Sequence, residues 1–438
     1  MSLVETKTHI DSAIGNISIW EPLRIKDLIT KIGSGVTPKG GSEVYVDKGV
    51  TFLRSQNVYD DGLRIDDVSF IAGEVNDRMK NSEIKPFDIL INITGASIGR
   101  TCVVPVSVGK ANINQHIIYL RIKKRKVDFL SYYLKSPFIK DYIMSVQAGS
   151  SKEALNMGQT LNIPVVIPKP EMQTKIAGYL DKKIEAIDKK VVLLEKKITK
   201  YKELRRSLIS QIVTKGLNHK VKLKESGIDW IGEVPEHWQL KRLKDVLNLY
   251  TGNSISDKSE FEEKSNSIPY IATKNVDFST GNINFGNGIY IPIKMKGFKV
   301  AKPFSTLICL EGANAGKKIG FTDRTICFVN KLCCIKSKNK EMQDKYFYYL
   351  SNSTQFKNQF FALINGLIGG VSLSLLKFFD ITIPPLDEQI EITNYLDSKI
   401  NLIDSIINNI EYQIDVLAEL RKTLINDVVT GKLKVTEE

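Results

Sequence analysis

Two short polar stretches of this 438-residue chain carry side chains that can recognise the edges of nucleic-acid bases. The first is 54–57, Arg-Ser-Gln-Asn, and the second is 273–275, Thr-Lys-Asn. Arginine, lysine, glutamine and asparagine are the side chains that pair with guanine or adenine. Because the same residues also cap turns between strands, base contact and turn capping both stay open. The candidates for base contact in these stretches are Arg54, Gln56, Asn57, Lys274 and Asn275.

Two glycine-rich segments, 95–100 and 312–318, each follow an apolar stretch that is typical of a strand. Glycines beside a basic residue allow backbone N–H groups to approach a phosphate. The second segment superficially resembles a nucleotide-binding loop, but it is one residue too short and lacks Ser or Thr after its first lysine. We therefore do not expect nucleotide binding there. A tight hairpin turn and DNA contact are the two remaining interpretations, and the candidates are Ser97, Arg100, Asn314, Lys317 and Lys318.

Two further polar stretches, 114–116 and 330–331, each precede an apparent strand, and a basic run follows at 121–126. The run has the charge to contact phosphate, although a solvated loop is the more frequent meaning of such a run. These stretches add the candidates Asn114, Gln115, Lys123, Lys124 and Lys331.

The sequence lacks several motifs that usually carry catalysis. It contains no N-P-P-Y tetrapeptide, no G-x-G-x-x-G after a strand, no Walker A loop and no H-E-x-x-H. Five cysteines without a C-x-x-C pair and four scattered histidines make a zinc site or a disulfide scaffold a poor interpretation. We therefore predict a binding protein without a metal or cofactor of its own, in the reducing cytoplasm.

Composition fits a globular protein with a polyanionic partner. Hydrophobic residues make up 42% of the chain and charged residues 25%, and the net charge is +13. The longest uncharged stretch, 358–376, is too polar and too rich in glycine for a membrane span. We expect no membrane association.

The dominant feature of the sequence is an internal repeat. Residues 167–217 align with 383–433 without a gap, and 21 of these 51 positions are identical. The repeat continues weakly upstream, where for example 57–58 matches 275–276. A period this long indicates the duplication of a whole domain. Each copy consists of a weakly matching globular part and a strongly matching helical part.

Apolar residues in both helical parts recur at alternating spacings of four and three, which is typical of a coiled coil. Residues 171–217 carry a net charge of +6 and residues 387–433 a net charge of −5, which favours pairing the two helices with each other. The alternative is that each seam packs on its own domain. The helix-pairing candidates are Leu180, Ile184, Ile187, Val191, Leu194, Ile198, Leu396, Ile400, Ile403, Ile407, Ile410 and Ile414.

The predicted fold class is α+β: two globular domains joined by two long antiparallel coiled-coil helices with pseudo-two-fold symmetry. The predicted boundaries are 1–170 and 218–386 for the domains, and 171–217 and 387–438 for the helical segments. Within the domains, β-branched and aromatic runs alternate with Gly, Asn and Asp turns, and short helices are expected near 129–142 and 345–356.

The chain resembles the specificity (S) subunit of type I restriction–modification systems. The clearest stretch is 226–238, Ser-Gly-Ile-Asp-Trp-Ile-Gly-Glu-Val-Pro-Glu-His-Trp, which typically opens a target-recognition domain. Further matching pieces are 33–38, 88–90 with 95–100, 114–116, 167–168 with Gln173, and the Leu-Arg-x-x-Leu-Ile pieces at 204–209 and 420–425.

This resemblance implies two target-recognition domains, each reading one half of a split sequence in double-stranded DNA. It implies that the helices act as a ruler and as the dock for two modification (methyltransferase) subunits. S-adenosylmethionine, ATP and Mg²⁺ would then be bound by the modification and restriction subunits, and not by this chain. Two other functions stay open: a non-catalytic coiled-coil adaptor without DNA recognition, and a catalytic subunit with an unrecognised site.

Overall fold

The computed structural model describes residues 20–122, 127–147, 154–255, 261, 266–286, 288–364 and 369–435. The chain folds as two compact units. Unit 1 contains Met1–Leu194 and Tyr412–Glu438, and unit 2 contains Glu195–Glu411. The predicted segments divide the chain at the helix ends, whereas the compact units divide it inside the two long helices. The reason is that each long helix contributes buried residues to the core of both units.

Most helices occupy equivalent places in the two repeats, and among the described residues only the helix at 73–78 has no counterpart in the second. The two longest are α6 and α11, and each is preceded by shorter helices of its own domain. The α-helices are α1 Ile25–Leu28, α2 Gly73–Arg78, α3 Val127–Lys135, α4 Pro137–Ser145, α5 Met157–Leu161, α6 Pro170–Lys215, α7 Leu243–Val246, α8 Asp344–Ser351, α9 Thr354–Ala362, α10 Leu373–Leu376 and α11 Leu386–Val429.

Unit 1 is built on two sheets. One has the strand order β10-β9-β12-β2, and the other has the order β3-β7-β4-β11-β8, in which β4 and β11 run parallel. Strand β1 pairs with β13, and β5 pairs with β6. The strands are β1 Glu21–Arg24, β2 Ile29–Ser34, β3 Tyr45–Val46, β4 Val50–Leu53, β5 Val58–Tyr59, β6 Gly62–Leu63, β7 Ser69–Ile71, β8 Glu83–Ile84, β9 Ile89–Asn92, β10 Thr101–Val103, β11 Ala111–Ile113, β12 Ile117–Ile122 and β13 Pro164–Ile167.

Unit 2 repeats this plan. Its main sheet has the order β17-β24-β21-β22, and a second sheet has the order β19-β18-β23-β20, in which β18 and β23 run parallel. Strand β16 pairs with β25, and β14 pairs with β15. The strands are β14 Leu223–Glu225, β15 Glu233–Pro235, β16 Gln239–Arg242, β17 Leu247–Thr251, β18 Ser267–Ile271, β19 Tyr290–Pro292, β20 Val300–Ala301, β21 Ser305–Cys309, β22 Ile319–Thr322, β23 Ile326–Phe328, β24 Leu332–Ser337 and β25 Asp380–Ile383.

The short helices expected near 129–142 and 345–356 are each divided into two. In unit 1, Ser136 caps α4 by accepting a hydrogen bond from Ile139 N, and Pro137 occupies the first helical position. In unit 2, Ser353 caps α9 by accepting from Phe356 N. A serine N-cap starts a new helix because its hydroxyl accepts from a backbone donor that the helix itself leaves unpaired.

Within unit 1, the first part of α6 and the last part of α11 run antiparallel. Leu180 of α6 and Val428 of α11 belong to the same hydrophobic core. Two turns further along α6, Asp188 Oδ1 lies 3.4 Å from Arg421 Nε of α11. The residue numbers of α11 fall as those of α6 rise, which defines the antiparallel direction.

Unit 2 contains the equivalent pair, made from the other halves of the same helices. Leu396 of α11 shares a core with Ile212 of α6, and Asp404 Oδ1 lies 3.4 Å from Arg205 Nε. Each helix therefore packs both on its own domain and on the other helix, so the two alternative interpretations of the seams each describe part of the packing.

The predicted seam residues differ in burial along the helices. The central positions of α11 are more deeply buried than those of α6. The buried positions are Leu180, Ile184, Leu396, Ile400, Ile403, Ile407 and Ile410. The half-buried positions are Ile187, Val191, Leu194, Ile198 and Ile414.

Candidate nucleic-acid interface

Two of the polar stretches of unit 1 meet because they follow parallel strands. Leu53, the last residue of β4, is paired with Ile113, the last residue of β11. Residues 54–57 follow the first strand and residues 114–116 follow the second. Asn114 N donates a hydrogen bond to the Leu53 carbonyl oxygen at 3.0 Å.

Residues 93–100, which include the glycine-rich segment 95–100, form the hairpin turn between β9 and β10. This turn lies next to the two polar stretches. Ile93 N donates to the His116 carbonyl oxygen at 3.0 Å, and Asn92 Nδ2 donates to the Ser55 carbonyl oxygen at 2.7 Å. Three loops therefore lie together at one end of the sheets. We call the loops 54–57, 93–100 and 114–116 edge 1.

Unit 2 brings its own stretches together in the same way. The parallel partners are Ile271 of β18 and Phe328 of β23, each the last residue of its strand. Lys318 Nζ donates to the Thr273 carbonyl oxygen at 3.1 Å, and Leu310 N donates to the Lys331 carbonyl oxygen at 2.9 Å. We call the loops 272–275, 310–318 and 329–331 edge 2.

Most predicted contact residues of the edges are accessible to a ligand. In edge 1, Gln56 and Gln115 are exposed, whereas Arg54, Ser97, Arg100 and Asn114 are half-buried. In edge 2, Lys274, Asn314, Lys317 and Lys331 are exposed, and Lys318 is half-buried. Edge 1 thus presents mainly amides and arginine, and edge 2 presents mainly lysine. The predicted candidates Lys123 and Lys124 lie outside the described residues.

Asn57 is wrong as a candidate for base contact. Its side chain is only 2% exposed, and its Oδ1 accepts from Arg54 N while its Nδ2 donates to the carbonyl oxygens of Arg64 and Asp67. A side chain that makes three hydrogen bonds in the interior has little capacity left for a base. Asn57 therefore holds the turn that carries edge 1.

Asn275 is wrong for the same reason. It is 7% exposed, and its Oδ1 accepts from Ala272 N at 2.9 Å. The turn-capping alternative is correct for both asparagines. Their exposed neighbours, Gln56 and Lys274, are left as the side chains that can reach a partner.

Arg100 is positioned by a tyrosine that the sequence analysis did not single out. The guanidinium carbon of Arg100 lies 4.6 Å from the centre of the Tyr59 ring, and that of Arg64 lies 4.8 Å from it. Such cation–π contacts orient an arginine without using its hydrogen-bond donors. Tyr59 and Arg100 are 41 positions apart, so no local pattern connects them.

Gln115 is oriented by Thr37, another residue that the candidate set did not include. The Thr37 hydroxyl donates to Gln115 Oε1, and His116 Nδ1 lies 2.8 Å from Thr94 Oγ1. Thr37 can approach because the adjoining chain contains Gly35, where any Cβ would collide with the backbone of loop 114–116. Gly35 and Thr37 both belong to the piece 33–38 that resembles the specificity-subunit family. That resemblance was the sequence signal that could have identified Thr37.

The glycine-rich segments are hairpin turns and do not form nucleotide-binding loops. Gly95 and Gly99 have φ values of 66° and 77°, and Gly312 and Gly316 have 81° and 67°. Strand β10 or β22, and not a helix, follows each turn. The helix N-terminus that a P-loop needs is therefore missing from both segments.

A buried ion pair holds the strands behind edge 1. Asp88, which is 1% exposed, receives hydrogen bonds from Arg121 Nε at 2.9 Å and Nη2 at 2.6 Å, and from Lys85 N at 2.7 Å. The hydrogen bond to Asp88 raises the pKa of Arg121. This arrangement explains the aspartate of the family-like piece 88–90 as a structural residue, since it ties β9 to β12.

The cysteines of the described residues lie in the interior. Across the described part of the chain, no group of three or more His, Cys, Asp or Glu side chains is placed to hold a metal ion. The five cysteines are buried, and burial raises the pKa of the Cys102 thiol to about 12 and that of Cys327 to about 11. A thiol of that pKa is a poor nucleophile at neutral pH. Within the same residues, no helix is long and apolar enough to cross a membrane.

A sequence profile described as the type I restriction modification DNA specificity domain matches residues 18–199 and 235–415. The chain belongs to this family. Each copy of the specificity domain contains one of the two edges. The resemblance drawn from the sequence is confirmed, as is the predicted function of a type I restriction–modification specificity subunit with DNA target-recognition domains.

Two curated relatives come from Methanocaldococcus jannaschii. The type I restriction enzyme MjaVIII specificity subunit is 23% identical over 426 residues, which cover 95% of this chain and 93% of the relative. The type I restriction enzyme MjaIX specificity subunit is 23% identical over 439 residues, which cover 95% of this chain and 94% of the relative.

Two solved structures share the fold. A chain from a structural study of complex assembly and conformational transition of the type I R-M system has a TM-score of 0.71 at 15% identity, covering 94% of this chain and 98% of that chain. The crystal structure of the HsdS subunit from Thermoanaerobacter tengcongensis has a TM-score of 0.53 at 16% identity, covering 95% and 98%. The predicted α+β class with two domains and long helices is confirmed.

Proposed function

We propose that this specificity subunit reads a bipartite DNA sequence, one half with edge 1 and the other half with edge 2. The observation that carries the proposal is that both edges have the same backbone framework but present different side chains. The same parallel strand pair and hairpin turn build both edges, yet edge 1 presents glutamines and edge 2 presents lysines. A duplicated framework with unlike contact residues is suited to reading two unlike half-sites.

Within each edge, the roles divide by chemistry. Amide side chains such as Gln56 and Gln115 can pair with a base edge in a bidentate manner, and lysines such as Lys274 and Lys317 can contact both guanine and phosphate. The half-buried Arg100, held against Tyr59, can present its donors in a fixed direction. Base contacts would then come from the exposed tips of the loops, and the buried asparagines would keep those tips in place.

The chain itself performs no chemistry in this proposal. Two modification subunits and the restriction subunits would dock on it and would bind S-adenosylmethionine, ATP and Mg²⁺. Its proposed location is the cytoplasm, because the chromosomal and incoming DNA that it would read is found there. Purified chain that methylated or cleaved DNA without partner subunits would contradict this part of the proposal.

DNA binding by the full-length chain is the direct test. Sequences are selected from a random duplex library, and the affinity for the selected duplex and for a scrambled one is measured over a range of salt. We expect a steep loss of affinity with salt for both duplexes, and a clear preference for the selected one at every salt concentration. Equal affinity for both duplexes would contradict the proposal and would favour the coiled-coil adaptor.

A further inference from the structure

Two lysines at equivalent positions have different surroundings. Lys140 is the fourth residue of α4 in unit 1, and Lys357 is the fourth residue of α9 in unit 2. The Lys140 ammonium forms an ion pair with Asp60. Among the residues that the structure describes, no carboxylate lies within ion-pair distance of Lys357, and its Nζ donates a long hydrogen bond to Asn352 Oδ1 at 3.5 Å.

The turn that supplies the counter-ion in unit 1 is built differently in unit 2. Val58 pairs with Leu63, whereas Val276 is bridged to Ile283, so the turn of unit 2 is two residues longer. Its aspartate, Asp277, accepts hydrogen bonds from Ser279 and Thr280. Among the described residues, the carboxylate of this turn is therefore used within the turn, and no ion pair joins it to Lys357.

The neighbours of Lys357 are also cations. Ser210 Oγ lies 2.9 Å from Thr354 Oγ1 and joins α6 to the start of α9. Arg206 is one helical turn before Ser210, and Lys357 is one turn after Thr354, so both lie on the joined faces. Burial first, and then the charges of Arg206 and Arg205, lower the pKa of Lys357 to about 8.

Within the described part of the chain, Arg205 is the one of these cations with a partial counter-ion, since its Nε lies 3.4 Å from Asp404 Oδ1. Its Nη1 donates to the Ser279 carbonyl oxygen at 3.5 Å. Ser279 belongs to the stretch 272–280, which begins in edge 2 and carries Lys274. The three cations Arg205, Arg206 and Lys357 are therefore connected to edge 2 through one short loop.

We propose that Arg206 and Lys357 form a phosphate-binding group that contacts the DNA backbone outside edge 2 and reads no bases. The inference rests on the proposed DNA-reading function. Keeping a half-buried ammonium beside two guanidinium groups is unfavourable, and a phosphate oxygen would supply the negative charge that Asp60 supplies in unit 1. In unit 1, the equivalent lysine is already paired with Asp60. The DNA backbone contacts of the two units are therefore unequal.

The test compares the salt dependence of DNA binding among variants of the full-length chain. The probe is a random-sequence duplex of about 40 base pairs, which measures phosphate contacts alone. We expect Lys357→Met with Arg206→Met to reduce the slope of log affinity against log salt by about 1 to 2, because about one counter-ion is released for each phosphate contact. Affinity at moderate salt should fall several-fold.

Lys140→Met is the matched control, since it removes the equivalent lysine together with one charge. It should leave the slope unchanged, because Lys140 is paired with Asp60. Lys357→Arg should restore the slope lost in Lys357→Met, which separates loss of charge from misfolding. An unchanged slope in the double variant, or an equal reduction in Lys140→Met, would overturn the inference.

Failure of this inference differs from failure of the proposed function. In selection from a random library, the double variant should prefer the same bases as the unmodified chain. An unmodified chain that prefers no sequence would overturn the proposed function. A double variant that selects different bases would overturn the claim that the group reads none. If the double variant kept the salt slope but no longer retained a partner subunit, the group would bind protein carboxylates and the inference would be wrong.

Discussion

Single polar residues at the two edges divide into those that hold a loop and those that face solvent. Asn57 and Gln56 are neighbours in the sequence and equally suitable for base contact by type. Burial and hydrogen bonding assign Asn57 to the turn, and Gln56 to the surface. The sequence proposed both residues by type and could not make this distinction, because it depends on carbonyl groups of residues up to ten positions away.

Asn57→Ala should lower the free energy of unfolding of unit 1 by about 1–3 kcal/mol, because it leaves buried backbone groups without partners. Gln56→Ala should change that free energy by no more than about 0.5 kcal/mol. Urea denaturation of the full-length variants measures both values. Equal losses would show that the turn does not depend on Asn57.

The stability of the chain should depend on pH through Lys357. Its folded-state pKa of about 8 lies below the ordinary lysine value of 10.5, so between these values the unfolded state binds more protons. The free energy of unfolding contributed by this group therefore rises as pH increases through that window. Compared with Lys357→Met, which cannot titrate, the unmodified chain should gain stability from pH 7 to pH 10. A constant difference in urea denaturation across that range would contradict the lowered pKa.

At the scale of elements, the long helices were the easiest to predict and the loops the hardest. The heptad pattern predicted helical segments at 171–217 and 387–438, and α6 and α11 span Pro170–Lys215 and Leu386–Val429. The division of each short helical region into two helices was missed. A serine cap is a weak signal when apolar residues flank it on both sides.

The hairpin turn of edge 2 depends on the fit between Gly316 and α9. A Cβ at Gly316 would collide with the Phe360 ring, whereas a Cβ at Gly312 would meet nothing within 4 Å. Both glycines have positive φ, so alanine at either position costs about 1 kcal/mol from the backbone alone. Gly316→Ala should cost a further 1–3 kcal/mol, roughly, from the collision.

Thermal or urea unfolding of both variants checks this difference, with Gly312→Ala as the matched control. Gly316→Ala should also weaken DNA binding more than Gly312→Ala, since it displaces a whole loop of edge 2. Equal stability of the two variants would mean that the turn does not rest on α9.

At the scale of the whole molecule, the repeat and the charges of the helices predicted most of the architecture. Two domains of one plan follow from the 21 identities, and the pairing of the two helices with each other follows from their opposite charges. What the sequence did not predict is that the two compact units divide inside the helices. Tertiary packing decides that division, because Leu180 and Val428 enter one core while Ile212 and Leu396 enter the other.

Both long helices continue from one unit into the other, so we expect their length to set the spacer between the half-sites. Inserting one heptad into α6 and one into α11, at matching seam positions, keeps the apolar register. Seven residues add about 10 Å of helix, or about three base pairs of DNA. Methylation mapping should show a spacer longer by about that amount with unchanged half-sites. Changed half-sites with the original spacer would contradict this role.

The central claim is that edge 1 and edge 2 each read one half of a split DNA sequence. The most direct measurement is a map of methylated positions in cells that make the partner subunits with one of three chains. These are the unmodified chain, the edge 1 variant Gln56→Ala with Gln115→Ala, and the edge 2 variant Lys274→Ala with Asn314→Ala. The unmodified chain should give a bipartite sequence, and each variant should relax the base preference in one half only, a different half for each edge. A single undivided sequence, or the same positions relaxed by both variants, would contradict the account.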